Sequence, residues 1–200
     1  MATASGTATD ARMNVTRLGF LLLVGYGGIA CGTEAPKVRV DVPRDRYPAG
    51  PFAFAEGDTI EDLSFDAADG KLSLMDVRSD KQAELLLLVT AAEWCTACIE
   101  EQPDLQALFD QHETAGLRVV VSLFEDSEFA PATEQNAAEW REGHALSFPV
   151  VADPAFLLSR YYDTSLTPMN MLVDLDSMVI ERVTTGFDRS VIEALVEALL

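Results

Sequence analysis

Glu93-Trp94-Cys95-Thr96-Ala97-Cys98-Ile99-Glu100-Glu101-Gln102-Pro103 follows closely on Leu85-Leu86-Leu87-Leu88-Val89-Thr90, and this junction decides how the chain folds. The leucine-rich run is continuously apolar but far too short to span a membrane. Ending in small residues and opening on a helical pattern, it reads as a strand buried on both faces. The helix after it has an apolar face through Ile99, Leu105, Leu108 and Phe109, and Gly116 is a reasonable stop. The two cysteines therefore sit where a buried strand ends and a helix begins. At i and i+3 of the first turn they share one face, close enough to form a disulfide. The unpaired N–H groups and positive dipole end of that turn favour a thiolate over a thiol. A low-pKa thiolate with a second thiol one turn away is the minimal apparatus for thiol–disulfide exchange.

A C-x-x-C pair also serves as half of a zinc site or as a static disulfide. Zinc needs about two more ligands, and the sequence offers only Cys31, His112 and His144, none in a paired spacing. No metal and no cofactor are expected on this reading. The static disulfide stays open.

The surroundings of the pair resemble a known family. Trp-Cys-x-x-Cys with a proline five residues after the second cysteine resembles the thioredoxin superfamily. Cys98-Ile99-Glu100-Glu101-Gln102-Pro103-Asp104-Leu105 is similar to the C-x-x-E-x-P-x-L of its TlpA/ResA-type, redoxin-related extracytoplasmic branch. Thr167-Pro168-Met169-Asn170-Met171-Leu172-Val173-Asp174 looks like the family's cis-proline loop running into its next strand. The resemblance covers residues 53 to 200, with the motifs in the expected order.

Composition bounds the remaining choices. Two hundred residues, 48% of them hydrophobic, can bury one good core, so one domain with appendages is expected. A formal charge of −19 excludes the basic face that nucleic acid or anionic lipid requires; its plainest consequence is solubility. Residues 1–30 differ from the rest. A polar lead with Arg12 and Arg17 precedes an apolar segment, Leu18 to Ala30, of the length of a signal-peptide h-region. It ends in Gly28-Ile29-Ala30-Cys31, which resembles a bacterial lipobox with glycine where leucine is usual, so Cys31 is read as a lipidated mature amino terminus. Met13 offers a more ordinary start than Met1. Allotting Cys31 to lipid leaves an even pair for redox work. The expected localisation is thus a membrane-anchored lipoprotein facing the periplasm or extracytoplasmic space.

Residues 31–52, with Pro36, Pro43, Pro48 and Pro51 among charges, read as an extended tether, and residues 53–200 as the domain. A hairpin turning at Asp69-Gly70 precedes the first core strand, and Met75 to Glu84 reads as polar connection. Leu117 to Phe124 is the second parallel strand, followed by the acidic loop Glu125-Asp126-Ser127-Glu128. Pro131 to Ala145 is helical, with Trp140 packing. A short strand around Val150-Val151 and a short helix to Tyr162 come next. Met169–Leu175 and Met178–Thr185 form an antiparallel hairpin, and Asp188 caps a last helix with Val191, Ile192, Leu195 and Leu199 inward. The fold class is α/β and thioredoxin-like: a central mixed sheet flanked by helices, with an N-terminal hairpin and an insertion before the cis-proline hairpin.

Roles follow from position and from the resemblance. Cys95, at the exposed helix end, is the attacking thiolate and Cys98 resolves the mixed disulfide. Trp94 either shields the pair or simply packs. Pro103 kinks the helix. The resemblance implies that Pro168 is cis and sets the Thr167 backbone beside the dithiol to pair with a substrate strand. Glu101 either relays a proton or is a solvated helix carboxylate. Glu93 carries a weaker signal, and His112 and His144 are expected at the surface. Two departures stand out: Val89 replaces the buried aspartate of thioredoxins proper, and Thr96-Ala97 lacks the common proline. The implied function is an extracytoplasmic thiol–disulfide oxidoreductase acting on protein thiols and disulfides with an upstream donor, in the reductive direction by family analogy. The rivals are a peroxiredoxin-like thiol peroxidase and a thioredoxin-fold copper-delivery protein. The proline and threonine that precede a peroxidatic cysteine are missing, as are the wider spacing and histidine of the copper carriers.

Overall fold

The computed structural model describes residues 43–200; Cys31, the expected signal peptide and most of the expected tether lie outside them. The first elements are two short strands, β1 (Ser64–Ala67) and β2 (Gly70–Ser73), paired antiparallel through the Asp69-Gly70 turn. Residues 75–84, expected as polar connection, instead begin within a helix, α1 (Leu74–Ser79). A reciprocal cap nucleates this single turn and a half: the Ser73 hydroxyl accepts from Asp76 N–H while Asp76 accepts from Ser73 N–H.

Three strands make the parallel centre: β3 (Leu85–Ala92), β4 (Leu117–Glu125) and β5 (Val150–Ala152). Between them lie α2 (Thr96–His112) and α3 (Glu134–Gly143). In the terminal hairpin β6 (Met169–Asp174) pairs antiparallel with β3 and β7 (Val179–Thr185) antiparallel with β6, and α4 (Arg189–Leu199) follows, capped by Asp188 as expected. The seven strands lie in the order β2-β1-β5-β4-β3-β6-β7. Residues 153–168 are the insertion before the hairpin and contain two 3-10 segments.

β3 is buried at all eight positions, and alternation splits it between two cores. Leu85, Leu87, Val89 and Ala91 pack with Leu105, Leu108 and Phe109 of α2, Trp140 of α3, and Ile192 and Val196 of α4. Leu86 and Leu88 face a second core with Phe65, Leu74, Tyr161 and Met171. A strand with apolar neighbours on both faces needs a continuous apolar sequence, which is why this run announces itself. Past α2 the chain turns at Gly116, φ 110°, where a Cβ would meet the Glu84 side chain at 2.8 Å.

Several expectations are corrected. The expected tether does not stay extended to residue 52: Arg44 Nε donates to Asp176 Oδ1 at 2.8 Å and its Nη1 to the Asp80 carbonyl at 2.8 Å. Beside it Arg78, fully buried, donates to the carbonyls of Pro43, Arg46 and Asp176. Backbone carbonyls left over at three chain turns thus hold two guanidiniums, whose several donors suit that task. Ile99 is 40% and Val191 48% exposed rather than inward, whereas His112 is buried rather than at the surface. The buried face of α2 runs Cys98, Glu101, Gln102, Leu105, Leu108, Phe109, His112. This is a proper helical stripe with polar residues in it, one position out of phase with Ile99.

Candidate active site

The end of β3 delivers Cys95 to the start of α2. Cys95 is the N-cap residue, and its Sγ accepts the Cys98 N–H at 3.1 Å. The two sulfurs are joined as a disulfide, with the Cα atoms 5.2 Å apart. Cys95 is 6% exposed and Cys98 fully buried, so the amino-terminal sulfur is the one solvent can touch. When the bond opens, the same N–H and the helix dipole favour negative charge on Cys95. Of the two sulfurs, that of Cys95 is thus the one at the open end of the turn. Pro103 lies inside α2, which continues through it to His112.

The Thr167–Pro168 peptide bond is cis, as the resemblance implied. Pro168 is buried and leads directly into β6. Because β6 pairs antiparallel with β3 through Val89↔Asn170, the start of β6 and the end of β3 meet at one end of the sheet. This brings the cis-proline loop and the Cys95 turn to the same end of the molecule. A chain of hydroxyls ties the loop to β3. Thr90 Oγ1 accepts from Met169 N–H at 2.9 Å and donates to Tyr162 Oη at 3.2 Å, and Tyr162 Oη lies 2.8 Å from Thr167 Oγ1. Burial, offset by these bonds, raises the Tyr162 pKa, so its phenol stays protonated and available as a donor. Thr90 and Tyr162 carry no local signal in the sequence, because their partners come from distant parts of the chain.

Glu101, one turn beyond Cys98, is not solvated. It is 3% exposed, and neither carboxylate oxygen has a hydrogen-bond partner. Burial alone pushes its carboxyl up to about 9, so at neutral pH it is a neutral acid holding a proton one turn from the buried sulfur. Beside it Gln102 Nε2 donates to the Cys98 carbonyl at 2.6 Å. An acid of this kind can give its proton to a thiolate that forms nearby.

The outer wall is an aromatic and acidic loop. Trp94, 39% exposed, stacks on Phe129 with ring centroids 5.4 Å apart, meets Phe124 edge-on, and donates Nε1–H to Glu125 Oε2 at 2.8 Å. Phe129 has φ 63° and is 66% exposed; Asp126 Oδ1 shapes its loop by accepting from the Glu128 and Ala130 amides. Glu93 accepts from Ser127 N–H and Asn136 Nδ2–H, which makes it a brace for this loop. Trp94 is thus both packed and partly open beside Cys95. His144, just past the end of α3, is half-buried against Trp140, which lowers its pKa.

Three comparisons with known proteins agree with this geometry. The AhpC/TSA family model matches residues 57–193. The thiol-disulfide oxidoreductase ResA of Bacillus cereus is 23% identical over 90 residues, 45% of this chain and 49% of that protein. Sporulation thiol-disulfide oxidoreductase A of Bacillus subtilis is 23% identical over 99 residues, 50% of this chain and 58% of that protein. The chain thus spans about half the length of the curated relatives it matches. A crystal structure described as a thiol:disulfide interchange protein DsbE, from Chlorobium tepidum, superposes with a TM-score of 0.61 at 21% identity, covering 74% of this chain and 99% of that one. The fold is thioredoxin-like.

Proposed function

This chain belongs to the AhpC/TSA family, and from that premise we propose that it is an extracytoplasmic thiol–disulfide oxidoreductase that reduces protein disulfides through Cys95 and Cys98. The observation that carries the reading is the Cys95–Cys98 bond at the first turn of α2, at the same end of the sheet as the cis Thr167–Pro168 loop. In the reduced protein the Cys95 thiolate attacks one sulfur of a substrate disulfide. A bond forms between Cys95 and that sulfur, and the other substrate sulfur leaves as a thiolate and takes up a proton. Cys98 then gives up its proton and attacks Cys95 Sγ, closing the 95–98 disulfide and releasing the second substrate thiol. Two electrons pass from the dithiol to the substrate, and an upstream thiol donor restores the pair. Glu101, protonated at neutral pH, gives its proton to Cys98 when the upstream donor opens the 95–98 bond and Cys98 leaves as a thiolate. Trp94 and the Thr167 backbone bound the substrate segment, which docks extended against the cis-proline loop.

The reductive direction is tested by equilibrating the pair against glutathione. A reduction potential near the thioredoxin range of about −270 mV supports it, and one near about −120 mV assigns an oxidant. Reduction of insulin by dithiothreitol should be accelerated by the wild type and not by Cys95→Ser. Hydrogen peroxide consumption at background level separates this reading from a thiol peroxidase.

The membrane anchor belongs to the same proposal. Among the described residues no helix is long and apolar enough to cross a membrane, so attachment rests on the lipobox-like Gly28-Ile29-Ala30-Cys31. Mass spectrometry of the mature amino terminus should find diacylated Cys31. An uncleaved terminus, or a free one beyond Cys31, overturns the anchor and leaves the redox chemistry untouched.

A further inference from the structure

The buried stripe of α2 ends on His112, and α4 brings two carboxylates to it. Glu193 and Glu197 stand at i and i+4 on α4, on one face. A ring nitrogen of His112 and one carboxylate oxygen of each glutamate all lie within 4.8 Å of one another. His112 is only 9% exposed, and its Nε2 is buried without a hydrogen-bond partner. An imidazole nitrogen taken out of water and left unpaired is costly. Two carboxylates gathered at the same ring therefore point to a ligand that both kinds of donor share. Glu193 is half-buried and Glu197 exposed, so the cluster opens to solvent on one side. Gln111 Nε2 donates to Glu193 Oε1 at 2.8 Å, which orients that carboxylate as the outer hydrogen bonds of metal ligands do. Arg189 approaches Glu193 Oε2 only at 3.7 Å while bonding Asp104 at 3.0 Å.

We propose that His112, Glu193 and Glu197 bind one Zn2+ ion, with water in the remaining position. One imidazole nitrogen with two carboxylates is a donor set for a borderline divalent ion; Mg2+ and Ca2+ favour oxygen ligands alone. Ligands at ~2.0–2.2 Å in a tetrahedral site stand ~3.5 Å apart, so closure needs movements of about an ångström, largest in the exposed Glu197 side chain. The ion ties the carboxyl end of α2 to α4. At ~1.5 Å per residue along α2 it lies roughly 25 Å from the dithiol, so it is independent of the cysteine chemistry.

The test is calorimetric titration of Zn2+ into the full chain with the Cys95–Cys98 disulfide closed, which keeps both thiols out of the coordination. One equivalent should bind, millimolar Mg2+ should not displace it, and NMR should show the His112 ring nitrogens shifting on saturation. Glu197→Gln and His112→Gln should each weaken binding at least tenfold, while Glu139→Gln, an exposed carboxylate on α3, should leave it unchanged. His112 is buried and its replacement can disturb folding, but Glu197 is exposed, so its variant carries the result alone. Absence of saturable binding overturns the site. So does binding that survives Glu197→Gln undiminished, which would assign the ion to other carboxylates or to Cys31.

Discussion

Replacing Glu101 by glutamine should make the protein more stable at neutral pH, by an amount that grows with pH. The carboxyl titrates near 4.5 in an unfolded chain and at about 9 in the fold, because burial penalises its charged form. Below pH 4.5 both states hold the proton and the carboxyl costs nothing relative to a neutral isostere. As pH rises through 4.5 the unfolded chain loses the proton first, and ionisation pulls the equilibrium toward unfolding. At ~1.4 kcal/mol per pH unit, the span from 4.5 to pH 7 amounts to about 3 kcal/mol, and the penalty levels off only once pH exceeds about 9. Glutamine has the same shape and no charge, so Glu101→Gln should recover that amount. The assay is urea denaturation of the oxidised protein and the variant from pH 4 to pH 9. The difference should vanish near pH 4 and widen steadily above pH 5. A variant equal to or weaker than wild type at pH 7, or a difference independent of pH, refutes the argument. A stabilising substitution that also slows reduction of insulin would show why a buried, unpaired acid is kept beside Cys98.

Other perturbations have outcomes of their own. Thr90→Val leaves the Met169 N–H without its acceptor and should cost about 1–3 kcal/mol in denaturation. It should also raise the KM for a disulfide substrate, because the Thr167 loop loses its tie to β3. Leu87→Ala opens a cavity in a fully buried strand and should cost about 2–5 kcal/mol. Thr133→Ala removes the cap of α3 and should cost about 1 kcal/mol in denaturation.

Sequence and structure agree where one residue type has one physical use. The leucines of β3 have no other place than between two cores, and the Trp-Cys-x-x-Cys junction fixes the start of α2. Thr167-Pro168 was legible through the resemblance, and Asp188 through its capping chemistry. The failures come from residues whose environment is set by distant parts of the chain. Ile99 drew the phase of α2 because it is apolar, yet the inner stripe holds Glu101, Gln102 and His112, polar groups buried by the sheet and by α4. The spacing of Cys98, Leu105, Leu108 and Phe109 already implied that stripe. Nothing in the local sequence of Arg44 and Arg78 shows the carbonyls of Pro43, Asp80 and Asp176 converging on them. The helix α1 was missed for its length, although Ser73-x-x-Asp76 is a capping signature.

The most direct test of the redox account compares two single-cysteine variants for trapped mixed disulfides. Cys95 caps α2 with its sulfur on the outer side of the turn, and Cys98 is fully buried. With Cys98→Ser, Cys95 should still attack disulfides and remain joined to its target, because nothing is left to resolve the bond. Non-reducing electrophoresis of that variant should show adducts that vanish on reduction, and mass spectrometry should find each at Cys95. With Cys95→Ser no adduct should form. Adducts captured by Cys95→Ser rather than by Cys98→Ser would contradict the assignment of Cys95 as the attacking thiolate.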